Sequence, residues 1–186
     1  RYYPLWCLTA GLVVPVLIGA LAGHALGAFI LCVCLRIVVV HHAAWCINSV
    51  CHTFGKATYD VHASARDHWL VSFITFGEGY HNFHHRFPND YRNGVKWYDW
   101  DPSKWIIVLF EKCGLAWDVK RASDFRILDA RVRADNQVAM ETLDKFSRNN
   151  QAKNLRARLR EQYELVRTNL TNWEGAVKEY YALMSE

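Results

Sequence analysis

Residues 4–22, PLWCLTAGLVVPVLIGALA, and residues 27–47, GAFILCVCLRIVVVHHAAWCI, decide the fold class. Of the 22 Lys+Arg and 18 Asp+Glu in the chain, only Arg1 and Arg36 fall before Lys56. A helix crossing about 30 Å of hydrocarbon needs about 20 apolar residues, and both stretches meet that length. The connection, Gly23-His24-Ala25-Leu26, is short, so the pair reads as one transmembrane hairpin. Arg1 and the Lys/Arg-bearing remainder lie at its outer ends, and the turn carries no cation. The positive-inside tendency then puts both ends, and everything after His52, in the cytoplasm, with His24 on the far side. Pro15 kinks the first helix and frees a carbonyl that a neighbour must satisfy. Arg36, about halfway along the second helix, is costly there. It either meets a buried partner or acidic ligand, or snorkels toward the headgroups.

The rest of the chain has an ordinary soluble charge density, and the net charge of +4 is spread along it. That distribution excludes a uniformly soluble domain, a disordered chain and a nucleic-acid binder defined by charge. Cys7, Cys32, Cys34, Cys46 and Cys51 lie in or beside the apolar third, and Cys113 is alone. Without secretory spacing or a CxxC pair they read as small buried side chains rather than a disulfide framework. The chain opens on Arg1, which reads as a cut point inside a longer protein. Beyond about Val119 the sequence is polar and helix-favouring. There Leu159, Tyr163, Val166, Leu170, Trp173, Val177 and Tyr180 advance in steps of 4 and 3, an apolar stripe of period 3.5. Such a stripe docks back on the preceding region, or else serves a coiled coil, a dimer or a redox-partner contact. The expected architecture is all-α: an integral membrane hairpin over 1–52, a cytosolic helical histidine-box region over 53–119 and a helical tail over 120–186.

Nine histidines are many for this length. His81, His84 and His85 occur as HNFHH, and on a helix the i, i+3, i+4 spacing turns three imidazoles toward one point. Gly77 and Gly79 just before them allow a tight turn into that helix. On the helix leaving the membrane Trp45, Asn48 and His52 stand at i, i+3 and i+7, so they share one face. Neutral imidazoles at such spacing suit a metal, and without cysteine the choice is iron, zinc, copper or nickel. His41 shares the Trp45 face, with His42 beside it. His62 and His68 belong to the loop approaching the last box.

WCINSVCHTFG (45–55), then Asp67-His68-Trp69-Leu70-Val71-Ser72, then FGEGYHNFHHRFPNDYR (76–92) closely resemble the membrane-bound acyl-CoA desaturases of the stearoyl-CoA desaturase type. The resemblance covers about residues 1–127. It implies two iron ions held mainly by nine histidines on the cytosolic side of a four-helix transmembrane bundle. On that basis His52 is the histidine of an NxxxH element, and Asn48 reaches one metal through a water. His81, His84 and His85 form the final HxxHH box, and Trp45 lies near the substrate thioester carbonyl. His41 and His42 match no ligand, and His41 is expected to line the acyl tunnel or bond a neighbouring helix. Arg36 matches an arginine whose role is unassigned. Two earlier boxes, HxxxxH and HxxHH, and a first hairpin are absent from this sequence. Five of nine ligands are then missing, and the chain is expected to be the C-terminal portion of a desaturase, inactive alone.

The activity so implied is insertion of a cis double bond, with a leaning to delta-9, into a fatty acyl substrate. CoA is the favoured carrier, beside acyl carrier protein or glycerolipid. O₂ is consumed, with two electrons from cytochrome b5, ferredoxin or a reductase. Asp67 and Glu78 either orient imidazoles or serve as caps and ion-pair partners. Arg86, Arg92 and Lys96 would face carrier phosphates or membrane lipid headgroups. A bacterial plasma membrane and the endoplasmic reticulum both fit the topology. Two other readings stand beside this one, a di-iron membrane hydroxylase of alkyl or lipid substrates and a non-catalytic metal- or lipid-binding half-protein.

Overall fold

The computed structural model describes residues 2–146 and 150–185. It is helical, with no strand among the described residues, and divides into two compact units at the Ser49–Val50 bond.

The first unit is a helical hairpin, α1 (Tyr3–Leu21) and α2 (Ala25–Ser49), each long and apolar enough to cross a membrane. The turn is shorter than the sequence suggests, because Ala25 and Leu26 already belong to α2. Gly23 explains this. Its φ of +78° lets the chain reverse at once, with its own N–H donating to Ala20 (3.0 Å) and that of His24 to Gly19 (2.7 Å). Almost every side chain of the hairpin points outward, and among its described residues only Val33 is buried. In water such a surface is untenable, and in hydrocarbon it is the expected one.

α1 widens to a π-helical stretch, Thr9–Val13, immediately before Val14 and Pro15. Pro15 has no N–H, so the carbonyl four residues earlier, that of Gly11, loses its α-helical partner. The Arg36 guanidinium of α2 donates to that same Gly11 carbonyl. One contact therefore answers both oddities of the hairpin: the intramembrane cation has an oxygen partner, and the carbonyl freed by proline has a donor. Neither an acidic ligand nor snorkelling is needed to account for Arg36.

The second unit contains α3 (Trp69–Ile74), α4 (His81–Arg86), α5 (Pro102–Lys112), α6 (Asp124–Lys145) and α7 (Asn150–Met184). Its apolar core is small, with Phe83, Phe87, Ala122, Ile127 and Ala130 packed together and Tyr59 and Val95 against them. Polar clamps do much of the remaining work. Asp101 is fully buried; its carboxylate accepts from the N–H groups of Asn93 (2.7 Å), Gly94 (2.9 Å) and Lys104 (3.0 Å), capping α5. Gly77 adopts φ +108° beside it, and a Cβ there would sit 2.7 Å from an Asp101 oxygen. Arg92 forms a buried fork with Asp90, Nε to Oδ1 at 2.9 Å and Nη2 to Oδ2 at 2.7 Å. The expectation that Arg92 reaches phosphates at the surface is thereby corrected: its side chain is 4% exposed and spent on Asp90. Arg86 and Lys96 are exposed.

α6 docks on this core through Ile127 and Ala130, and Gln137 on α6 bonds His62 Nε2 (3.1 Å). α7 runs antiparallel along α6. Phe125 meets Trp173 edge-on at 5.0 Å, Asp129 pairs with Arg167, and Leu159, Tyr163 and Val166 face Val132, Asn136 and Ala139. The period-3.5 stripe is thus a docking seam within this chain, although Trp173 and Tyr180 stay largely exposed. All six cysteines are free thiols.

Candidate metal centre

α4 is six residues long, too short to persist alone, so its placement is built by its surroundings. Asp67 stands at its N-terminus and accepts from the backbone N–H of Asn82 (2.9 Å) and Phe83 (3.2 Å), satisfying donors that a helix start leaves open. Burial pushes the Asp67 carboxyl up, against the hydrogen bonds from Thr58, Phe83 and Asn82 that pull it down. Of the two readings of Asp67, the structure takes the cap. Glu78 accepts from Asn93 (3.4 Å), also away from an imidazole.

Asn82, inside the HNFHH box, is the clamp that sequence reasoning passed over. It is fully buried. Its Oδ1 accepts from the N–H of Tyr59 (2.7 Å) and Asp60 (3.1 Å), and its Nδ2 donates to the carbonyls of Asp60 (2.7 Å) and Ala65 (2.9 Å). The loop from Tyr59 to Ala65 is thereby fastened to α4. The signal lay in the box itself: an asparagine between ligand-spaced histidines has four bonds to place, and a buried one must place them all.

His52 is reached differently from the expectation. α2 ends at Ser49, and Val50–Thr53 form a turn closed by Thr53 and Phe54 N–H donating to the Val50 carbonyl (3.0 and 2.7 Å). The i+7 face argument therefore does not deliver His52. Instead the turn opens the second unit and is pinned within it, with Arg66 N–H donating to the Cys51 carbonyl (2.6 Å) and the buried Cys51 thiol against the Gly79 carbonyl (3.7 Å). The result places His52 Nε2 3.0 Å from His81 Nε2, with His85 Nε2 3.1 Å from the same atom.

One ring nitrogen each from His52, His81 and His85 lies within 4.8 Å of the others. Two imidazoles bound at right angles to one ion by bonds of about 2.1 Å have their nitrogens about 3.0 Å apart. The observed spacing matches that of ligands to a common ion. His84 is next to this group and outside it, its ring 6.0 Å from that of His81 and nearly parallel to it. The i, i+3, i+4 pattern thus converges at His81 and His85 and leaves His84 aimed apart from them.

Electrostatics favour the neutral form of His81 and His85. Burial, reinforced by repulsion from His85, His52 and His84, pushes His81 down to about 4. Burial and the neighbouring imidazoles also lower His85. Neutral imidazoles are the form that ligates metals. With its proton on Nδ1, His52 donates to Ser64 Oγ (2.8 Å) and turns a lone pair on Nε2 toward the cluster. His81 Nδ1 is buried with no hydrogen-bond partner. His81 Nε2, in a buried ring, has the Nε2 atoms of His52 and His85 at 3.0 and 3.1 Å, an arrangement that a shared proton or cation relieves, so the donor set fits a metal.

The other sequence candidates fall elsewhere. Trp45 and Asn48 belong to the hairpin unit, where Trp45 packs against His42 and His41 (5.1 and 6.3 Å between centroids) and Asn48 donates to Ala44 (3.2 Å). His41 and His42 bond the carbonyls of Ile37 and Val38 in their own helix. His68 caps α3, its Nδ1 accepting from Val71 N–H (3.4 Å).

Two helices of spanning length together with a histidine cluster define a membrane-associated class whose site is compatible with a metal. Comparison narrows it. The family model for fatty acid desaturases matches residues 1–108, and the chain belongs to that family. It is 42% identical over 138 residues to acyl-CoA desaturase 1 of Saccharomyces cerevisiae, covering 74% of this chain and 27% of that protein. Palmitoyl-monogalactosyldiacylglycerol delta-7 desaturase of Arabidopsis thaliana is 37% identical over 108 residues, 56% of this chain and 29% of that one. The sn-2 palmitoyl-lipid 9-desaturase of a Nostoc species is 42% identical over 82 residues, 44% of this chain and 29% of that one. The chain thus spans less than a third of the length of these relatives.

Proposed function

We propose that this chain supplies the last histidine box of a di-iron fatty acyl desaturase that places a cis double bond, at delta-9, in an acyl-CoA. The observation that carries the reading is the meeting of His52, His81 and His85 at nitrogen spacings of 3.0 and 3.1 Å inside the residues the family model matches. Acyl-CoA is favoured over a lipid carrier because the yeast acyl-CoA desaturase aligns over 138 residues and the lipid desaturases over 108 and 82.

Iron with O₂ and two electrons supplies the oxidising power that a methylene C–H bond demands and that no side chain offers. The saturated chain loses two adjacent hydrogens to become the alkene, and O₂ with two further protons becomes two waters. The chain's own residues hold and orient. His52, His81 and His85 would hold one ion, while His84, aimed apart from them, would be left to serve the second, and Asn48 would act through a water. Asp67 and Asn82 fix α4 so that His81 and His85 keep their bearing. Ser64 holds the proton on His52 Nδ1, which leaves Nε2 as the ligating atom. Burial keeps His81 unprotonated at neutral pH. Trp45 contacts the thioester end of the substrate. The histidine unit faces the cytoplasm, where cytochrome b5, ferredoxin or a reductase delivers electrons.

The test is lipid product analysis in a yeast host lacking its own acyl-CoA desaturase and carrying the whole natural reading frame that contains these residues. The proposal expects new cis monoenes at delta-9, lost in His81→Ala. A hydroxylated product would move the assignment to a hydroxylase. Unchanged fatty acids with normal expression would leave a non-catalytic metal-binding protein.

A further inference from the structure

α5 is built inside out. Lys104 is buried and its Nζ donates to the carbonyls of Gly94 (2.9 Å) and Lys96 (2.8 Å), while Trp105, Ile106, Leu109 and Phe110 of the same helix face outward. α3 buries Val71 and Ser72 and exposes the larger Trp69, Leu70 and Phe73. Trp100 joins the two helices: its Nε1 donates to the Phe73 carbonyl (3.2 Å), and its ring lies 5.1 Å from Phe73 and 5.7 Å from Trp105. Contiguous apolar faces of this extent mark a covered surface.

Composition and charge indicate what covers it. Five of the chain's eight tryptophans lie within residues 69–117, and indole is the side chain of the membrane–water interface, apolar in body with one polar atom. The edge of the face is cationic. Trp97 and Trp105 share a groove of about 390 Å³ with Arg121, and Arg121 with Arg86, Lys120 and Arg126 lines the adjoining pocket. Two acids temper that edge, Asp90, which Arg92 neutralises, and Asp124, which pairs with Arg121 at the surface.

We propose that α3 and α5 form an in-plane membrane contact, their aromatic side chains at the boundary of acyl chains and headgroups and the Arg121 edge against lipid phosphates. A bilayer fits better than a protein partner, since aromatic centre and cationic edge complement acyl chain and phosphate in that order. The contact stands independently of the desaturase reading.

The test is tryptophan fluorescence of the protein in phosphatidylcholine nanodiscs, the Trp105 component taken as wild type minus Trp105→Phe. Phosphatidylcholine brominated near the top of the acyl chain should lower that component about two-fold or more, as for an indole buried about 5–10 Å below the headgroups. Aqueous acrylamide should leave it nearly unchanged. Quenching by acrylamide instead would place the face in water, and protection from both quenchers would place it against protein; either result overturns the proposal. Should Trp105→Phe fail to fold, Trp97→Phe, whose side chain is 84% exposed, supplies the same difference.

Discussion

The two units solve the same problem, unpaired backbone polar groups, in opposite ways. In the hairpin nearly all backbone groups bond within a helix, the exterior is apolar, and the carbonyl that Pro15 frees is met by one side chain, Arg36. In the histidine unit the regular elements before α6 are short, and most residues between Val50 and Ser123 lie outside them. Its fully enclosed side chains accordingly include Asn82, Asp101 and Ser72 beside Phe83 and Cys51. A helix of six residues that carries two of the clustered histidines survives there because buried polar side chains, rather than apolar area, determine where it sits. The hairpin takes its stability from the phase around it, and the histidine unit from hydrogen bonds inside it.

That contrast breaks first at Asn82. Asn82→Leu removes four hydrogen bonds and strands two N–H and two C=O groups of the Tyr59–Ala65 loop, and should cost roughly 4 kcal/mol or more. Proteolysis within residues 59–65 and loss of bound iron would report it. An unchanged cleavage pattern would mean that the clamp is dispensable.

Asp90 comes next. Burial alone would raise its carboxyl, but the Arg92 guanidinium and the N–H groups of Arg92 and Ala122 outweigh that and hold it below the usual range. A folded-state pKa depressed in this way stabilises above the unfolded value of about 4 and is lost as pH falls through the folded one. Asp90→Asn should therefore be less stable than wild type at neutral pH by about 3 kcal/mol, the two converging in acid. Thermal unfolding from pH 7 down to pH 3 would check this, and a pH-independent gap would contradict the ion pair's role.

The hairpin offers the smallest effect and the sharpest contrast. Arg36→Leu should destabilise solubilised protein by about 1–2 kcal/mol because the Gly11 carbonyl loses its donor. In a Pro15→Ala background, which restores the helical N–H, the same substitution should cost measurably less. Additive losses in the double variant would show that the two residues are uncoupled.

The sequence displayed the hairpin plainly because a run free of charge over 19 residues has few other readings, and it displayed His81 and His85 because i, i+4 spacing survives even in a six-residue helix. It hid the approach of His52. That approach depends on where α2 stops and on the Cys51–Arg66 and Cys51–Gly79 bonds, which join positions 15 and 28 residues apart. It misled on Arg92 for a related reason: the cation was expected to face phosphates, but the backbone brings the Ala122 N–H to the Asp90 carboxylate (2.9 Å) and Arg92 completes that buried site. Local periodicity is written in the sequence, whereas the partners of buried polar groups are set by tertiary contact. The Pro15–Arg36 relation was half visible, as a demand for some donor without its identity.

The central claim is that His52, His81 and His85 share an ion. The most direct measurement is iron per polypeptide, by elemental analysis, in the purified membrane protein and in His81→Ala and His85→Ala, with His62→Ala as the control outside the cluster. The account predicts that the two cluster variants lose most of their iron while His62→Ala retains it. Wild-type iron content in His81→Ala, with the protein folded, would contradict it.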